Sequence, residues 1–366
     1  MTEQMPVEPI FTIGAPRSGT SVMNWAIGQH PNIQGMPETA WIVDYITGAF
    51  SAFNRGSERG RFSHLSNIDY PLQEFLAHVA SSINAIVGDV YEKRCQSLYG
   101  DYRGKGITIN PANPNTPFQV RRSADEPKRR WVDSTPLNTH YAWALAQVFP
   151  QAKFIHNLRQ PDDVALSLEN FDAVGASPKP LKEGLAIWMH HTEEAWLAEK
   201  ALGPERVFRL RFDRIEHEPE PLMHELLNFL DEPFSPACLE PLSTKTNSSK
   251  VDSKRADLVS RISRCQHYKK ASRLFLSLDT PVSTSDQAQA YGILEERFEA
   301  FWPISIVIKR KHIQRLTVCR LINLRTHHCR HRAKHTHACW HRNILTPIDS
   351  IADWISMSWC RQPGLP

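Results

Sequence analysis

Strand-like apolar runs alternating with helical patterns predict an α/β fold: a P-loop-like parallel sheet flanked by helices on both faces. Three observations carry that expectation. The run Phe11-Thr-Ile-Gly14 passes through a glycine-containing turn into TSVMNWAIGQH, where Val22 and Ala26, and Met23 and Ile27, recur at helical spacing. Lys153-Phe-Ile-His-Asn-Leu158 repeats the arrangement, with Pro161 opening the next helix, which is expected to run to Phe171. A third strand, Val207 to Phe212, follows a long helical stretch from Leu181 to Leu202 that carries Leu185, Trp188 and Trp196.

The elements between these units follow from the same rules. Leu72, Leu76, Val79, Ile83, Ile86 and Val90 mark one face of a long helix over 70–91. Residues 100 to 130, rich in Pro, Gly, Asn and charge, read as an excursion or lid-like loop. Leu137 to Phe149 is expected to be helical up to Pro150, and Pro221 to Leu230 forms the helix after the third strand. No solenoid-type repeat recurs.

Composition sets the outer bounds. With 366 residues, 41% of them hydrophobic, and only 16 Gly, the chain has the make-up of an ordinary soluble protein of enzyme size, which excludes collagen-like, disulfide-scaffold and wholly disordered classes. The longest apolar stretches, such as Ile304 to Ile308, fall far short of the roughly 20 residues of a membrane span. Residues 1 to 10 lack a basic segment followed by an apolar one, so the expectation is a cytoplasmic protein with no membrane partner.

The net charge of +4 averages two unlike parts. Residues 303–366 hold 11 Lys+Arg and 2 Asp+Glu, leaving 32 and 37 for residues 1–302. The first part is read as the functional domain, the second as a basic, His- and Cys-rich tail. A mildly acidic body offers no electrostatic footprint for nucleic acid. Cys95, Cys238 and Cys265 form no CxxC pair and read as reduced thiols. His327, His328, Cys329, His331, His335, His337, Cys339 and His341 match no zinc-finger spacing, so the tail is read as a disordered appendage or an out-of-frame extension of the reading frame, and no metal is expected.

Gly14-Ala-Pro-Arg-Ser-Gly19-Thr-Ser21 has the glycine spacing and terminal Ser of a phosphate loop, between a strand and a helix. A nucleoside-triphosphate loop carries Lys after the second Gly to reach the β and γ phosphates; here that position is Thr20, which disfavours ATP or GTP chemistry. Arg17 lies inside the loop, where a guanidinium can bind a phosphate in bidentate fashion; a tight turn with a solvated Arg is the alternative. Arg159-Gln-Pro161-Asp-Asp163, with Ser167 further into the helix, is either a second phosphate site at the carboxyl ends of the strands or an ordinary helix start whose acids complement the dipole.

Together, Pro16-Arg-Ser-Gly-Thr20 and the Arg159 to Ser167 pair resemble the sulfotransferases that use 3′-phosphoadenosine 5′-phosphosulfate (PAPS). The stretch from Trp131-Val-Asp-Ser-Thr-Pro136 to His156, then Arg209 to Ile215 and Asn228 to Pro233, is similar to the same family, so the resemblance covers residues 8 to about 235. It implies that Arg17, Ser18, Gly19, Thr20 and Ser21 hold the 5′-phosphosulfate and that Arg159 and Ser167 hold the 3′-phosphate. It also implies that Glu38, 21 residues after Arg17, takes the acceptor proton, at a spacing similar to tyrosylprotein sulfotransferases and their bacterial relatives.

The pattern departs from that subfamily at Ser134, where a Lys would precede the Thr-Pro pair, and Ser248, Ser249 and Lys250 match the nucleotide-covering segment loosely. His30 and His156 are the next candidates for the base. The implied activity is transfer of a sulfonate from PAPS, without a required metal, to a hydroxyl or amine of a small-molecule, glycan or peptide acceptor, with a homodimer allowed. A P-loop kinase or NTPase and a non-catalytic nucleotide-binding relative are the alternatives.

Overall fold

The computed structural model describes residues 8–99, 127–170, 177–243, 261–262, 265–279 and 286–300. Most of the expected lid-like excursion, Ser248, Ser249 and Lys250, and the whole tail over 303–366 lie outside the described residues.

Five parallel strands form one sheet in the order β2-β3-β1-β4-β5. In chain order they are β1 (Ile10–Gly14), β2 (Ile33–Gly35), β3 (Arg130–Asp133), β4 (Lys153–Leu158) and β5 (Val207–Arg211). β1 lies in the middle and is buried along its whole length, as the unbroken IFTIG sequence requires of a strand covered on both faces. Its register sets Phe11 beside Asp133 of β3, and Ile13 and Gly14 beside His156 and Asn157 of β4.

On one face, Ile10, Val132, Ile155 and Leu210 pack against Met23, Ala26 and Ile27 of α1 (Thr20–Ile27) and against a helix later in the chain, Pro219–Phe229, through Leu222, Met223, Leu226 and Leu227. On the other, the Phe11 ring meets Trp131, Phe149 and Phe154 at centroid separations of 5.4, 5.9 and 5.6 Å. Each fully buried side chain of this size contributes about 1.5–3 kcal/mol over the exposed state, so the sheet is clamped from both sides.

The remaining helices are α2 (Ala40–Ser57), α3 (Leu72–Tyr99), α4 (Ala142–Val148), α5 (Pro161–Glu169), α6 (Leu181–Leu202), α7 (Phe212–His217), α8, the Pro219–Phe229 helix above, α9 (Gln266–Ser277) and α10 over 287–300. Among the described residues no helix is long and apolar enough to cross a membrane. α5 starts on Pro161, whose fixed φ suits the first helical position, with Asp162 and Asp163 in the first turn.

Several expectations change in detail: the helix expected over 70–91 runs on to Tyr99, the strand expected to reach Phe212 ends at Arg211, and the helix expected over Pro221–Leu230 spans Pro219–Phe229. The stretch after Pro136 divides into a 3-10 turn (Pro136–Tyr141) and α4, because Thr139 is drawn into bonds with β1. The helix opened by Pro161 ends at Glu169, and Phe171 lies outside the described residues. The buried line of α3 runs Leu76, Val79, Ile83, Val87 and Tyr91, while Ile86 and Val90 are 41% and 58% exposed. Helical period alone would admit Ile86 and Val90 to that face, so what leaves them exposed is the packing around the far half of the helix.

Lys128 anchors the return from the excursion. Its Nζ donates to the backbone carbonyls of Gly28, His30 and Ile33 at 3.1, 2.7 and 3.0 Å, which satisfies the turn between α1 and β2 with a single charged group.

Candidate active site

β1 ends on Gly14, whose φ of +124° and close neighbour admit no side chain: a Cβ there would lie 2.4 Å from the Asn157 carbonyl oxygen of β4. Its N–H donates to Thr139 Oγ1 at 2.9 Å, and the Thr139 hydroxyl donates back to the Gly14 carbonyl at 3.1 Å. The exit of the strand is thereby pinned at the carboxyl edge of the sheet, where ligands bind in open α/β folds.

The loop then turns through Arg17, at φ +69°, and Gly19, at φ +91°, where a Cβ would sit 2.5 Å from the Phe212 ring. Gly19 is the N-cap of α1, and among the described residues no side chain caps that helix, whose first turn carries no acid. The first-turn N–H groups, which have no acceptor within a helix, therefore face the loop. Ser18 is buried, and its Oγ has no hydrogen-bond partner among the described residues. A buried hydroxyl without a partner is costly, and a cradle of amides and hydroxyl suits an anion's oxygens.

The two anion motifs of the sequence meet here. Arg17 Nε donates to Ser167 Oγ of α5 at 2.9 Å, and Arg159 Nη1 donates to the Arg17 carbonyl at 3.2 Å. The Arg159 guanidinium lies 4.2 Å from the Phe212 ring centroid, its carbonyl accepts from Trp188 Nε1 at 3.0 Å, and its Nε is 3.8 Å from Asp163. Burial, then the like charge of Arg159, lowers the proton affinity of Arg17. Both guanidiniums stay charged at neutral pH, so their mutual repulsion favours an anion between them.

Glu38 lies between β2 and α2, in a segment tied on two sides. The Met36 N–H donates to Val132 O at 3.1 Å, and the Met36 carbonyl accepts from Asn24 Nδ2 at 2.7 Å. The Thr39 N–H donates to Thr135 Oγ1 at 2.7 Å. The Glu38 side chain is accessible at the rim, yet loss of hydration and, second, the Asp133 carboxylate raise its pKa above the usual carboxylate range. Ser134, the position of the expected family Lys, is buried, and its Oγ accepts from Asn24 Nδ2 at 2.9 Å.

The structure thus joins Arg17, Arg159 and Ser167, keeps Ser18, Gly19, Thr20 and Ser21 at the start of α1, and sets Glu38 on the adjoining segment. The two reserve bases are committed elsewhere. His30 is buried, with Nε2 on the Pro233 carbonyl at 2.9 Å and Nδ1 accepting from the Asn32 N–H at 3.1 Å. His156 faces α6, where its Nδ1 meets Glu199 at 3.0 Å. Burial alone would raise the Glu199 pKa, but His156 and Arg209 outweigh it and hold the carboxyl below its ordinary range.

Asn24, Asp133, Thr135 and Thr139 were missed in the sequence. Only Asp133-Ser-Thr, at the end of a strand, carried a visible polar signal. Among the described residues no group of three or more His, Cys, Asp or Glu side chains is arranged to hold a metal ion.

Fold and site define a parallel α/β protein whose central strand delivers a glycine-bounded loop to an uncapped helix N-terminus, beside two converging arginines. The chain belongs to the sulfotransferase family, whose model matches residues 9–236.

An uncharacterized protein of Aquifex aeolicus (strain VF5) is 24% identical over 249 residues, 65% of this chain and 27% of that protein. A protein-tyrosine sulfotransferase of Drosophila melanogaster is 22% identical over 241 residues, 64% of this chain and 40% of that protein. The chain thus spans less than half the length of either curated relative. Among solved structures, the sulfotransferase domain from the curacin biosynthetic pathway aligns with a TM-score of 0.42 at 17% identity, covering 76% of this chain and 99% of that one. A sulfotransferase from Alicyclobacillus acidocaldarius aligns with a TM-score of 0.36 at 16% identity, covering 70% and 94%.

Proposed function

We propose that this chain transfers the sulfonate group of PAPS to a hydroxyl or amine of a small-molecule, glycan or peptide acceptor, in the cytoplasm and without a metal. The observation that carries the reading is the Arg17 Nε to Ser167 Oγ contact of 2.9 Å, which makes one basic cradle of two motifs 150 residues apart. A donor with phosphates at both its 5′ and 3′ positions matches such a cradle. The loop amides, Ser18, Gly19, Thr20, Ser21 and Arg17 take the 5′-phosphosulfate, and Arg159 with Ser167 takes the 3′-phosphate.

In the reaction the acceptor oxygen or nitrogen bonds to sulfur as the bond from sulfur to the 5′-phosphate oxygen breaks. The acceptor proton passes to the Glu38 carboxylate, and 3′-phosphoadenosine 5′-phosphate leaves with the electron pair of the broken bond. Because charge spreads over peripheral oxygens, in-line alignment and fixed donors supply most of the catalysis. Arg17 and the first amides of α1 stabilise the departing phosphate. With Ser134 in place of a Lys, Arg17 is the cation assigned to that role.

Thermal unfolding tests the donor assignment. A ligand that binds only the folded state at 100 times its Kd adds about 2.7 kcal/mol to stability. The product nucleotide should raise Tm with no metal present and should do so more than ATP with magnesium. Better protection by ATP with magnesium would replace this reading with a nucleotide kinase. Labelled PAPS offered to a panel of phenols, sugars and peptides identifies the acceptor class.

A further inference from the structure

One ionisable group at the site has no part in binding or proton transfer. Asp133, at the end of β3, is fully buried, and a buried carboxylate is tolerated only when its lone pairs are satisfied. Its Oδ1 accepts from the Thr135 N–H at 3.1 Å and from the Thr135 hydroxyl at 2.7 Å, and its Oδ2 accepts from Asn138 Nδ2 at 2.9 Å. All three are donor groups turned towards the carboxylate, which favours its acceptor-only form, while burial, the larger effect, raises its pKa.

Thr135 passes the constraint on. Having given its proton to Asp133, its Oγ accepts from the backbone N–H of Thr39 at 2.7 Å. Thr39 follows Glu38 and is the N-cap of α2, yet its own side chain makes no capping bond. The backbone that carries Glu38 is therefore held from outside its own helix, by a chain that ends on a buried charge.

We propose that Asp133 is the positioning residue of Glu38: through Thr135 it fixes the backbone that carries the proton acceptor, and its negative charge bears on that acceptor. The proposal rests on the reading of Glu38 as the base. Among the described residues Asp133 is the charged group that acts on Glu38, whose pKa is raised by burial first and by Asp133 second. A carboxylate with greater proton affinity accepts the acceptor's proton more readily, provided it is ionised at the working pH.

The test follows the titration of Glu38 by NMR in full-length protein carrying carbon-13 at the glutamate side-chain carboxyls, with the resonance missing from Glu38→Gln giving the assignment. In Asp133→Asn the Glu38 midpoint should fall towards the ordinary carboxylate range. In Thr135→Val the charge remains, so the midpoint stays raised, while amide exchange at Thr39 quickens about five-fold on loss of one hydrogen bond. An unmoved Glu38 midpoint in Asp133→Asn overturns the proposal, as does unchanged Thr39 exchange in Thr135→Val. If Asp133→Asn does not fold, the Thr135→Val exchange decides. Neither readout depends on turnover, so an error in the chemistry assigned to Glu38, seen as normal turnover in Glu38→Gln, stays distinguishable.

Discussion

Replacing Arg159 by Ala separates the two phosphates of the donor. The guanidinium holds the Arg17 carbonyl at 3.2 Å and stacks on Phe212 at 4.2 Å, so the unliganded protein loses one charged hydrogen bond and one cation–π contact. Together these amount to about 2 kcal/mol, readable as a lower urea midpoint. Binding loses more, because the charge-assisted contact to the 3′-phosphate is worth about 1.5–3 kcal/mol, or about 10- to 150-fold in Kd. Arg159→Lys keeps a charge but not the planar fork, and should fall between parent and Ala variant. Calorimetry with 3′-phosphoadenosine 5′-phosphate and with adenosine 5′-phosphate provides the contrast: the first should weaken by that factor, the second hardly at all. Equal weakening of both ligands would refute the reasoning, since Arg159 would then act on the loop as a whole and not on the 3′-phosphate.

Glu38→Gln should lower turnover by about 10² or more, the scale of lost general-base catalysis, with affinity for the product nucleotide unchanged by calorimetry. Its raised pKa also gives a sign: turnover rises with pH through a midpoint above the ordinary carboxylate range, and that limb disappears in the Gln variant. The buried pair His140 and His191 predicts a pH dependence of stability. His191 Nδ1 donates to the Ile187 carbonyl at 3.0 Å, so its Nε2 accepts from His140 Nε2 at 3.3 Å and the pair is neutral. Burial lowers His191 to about 4 from the usual 6.5 and takes His140 well below it. The unfolded chain therefore binds more protons than the native one in that range, so stability is full above about pH 6.5 and falls towards pH 4. Urea midpoints against pH should show this slope, and His191→Gln should flatten it. Lys128→Met leaves three backbone carbonyls without their shared donor and should cost at least about 2 kcal/mol in denaturant unfolding.

Short-range signals made much of the fold legible. Lys153–Leu158 and Leu181–Leu202 form the strand and helix the pattern predicts, with the same bounds. Gly14 and Gly19 mark the two ends of the loop because each takes a positive φ beside a close neighbour, a demand that only glycine meets without strain. Arg17, Arg159 and Ser167 stood out because their two motifs together resemble the sulfotransferase pattern, whereas each motif alone was also compatible with an ordinary turn or helix start. Asn24, Thr135 and Thr139 gave no such signal, since a Thr or Asn near a strand end is ordinary until its partner is known.

What the sequence determined by itself is most of the local conformations of its elements, because backbone sterics and hydrophobic period act within a few residues. The tertiary structure alone decided what those elements bring together. The strand order put β1 between β3 and β4, so that Arg17 meets Ser167 on one side while the Asp133 end of β3 ties down the Glu38 segment on the other. It also exposed Ile86 and Val90 and spent His30 and His156 on structural bonds. Such pairings join residues tens to hundreds of positions apart, and no local preference specifies them, because their energy appears only once the sheet has assembled and water has been excluded from between them.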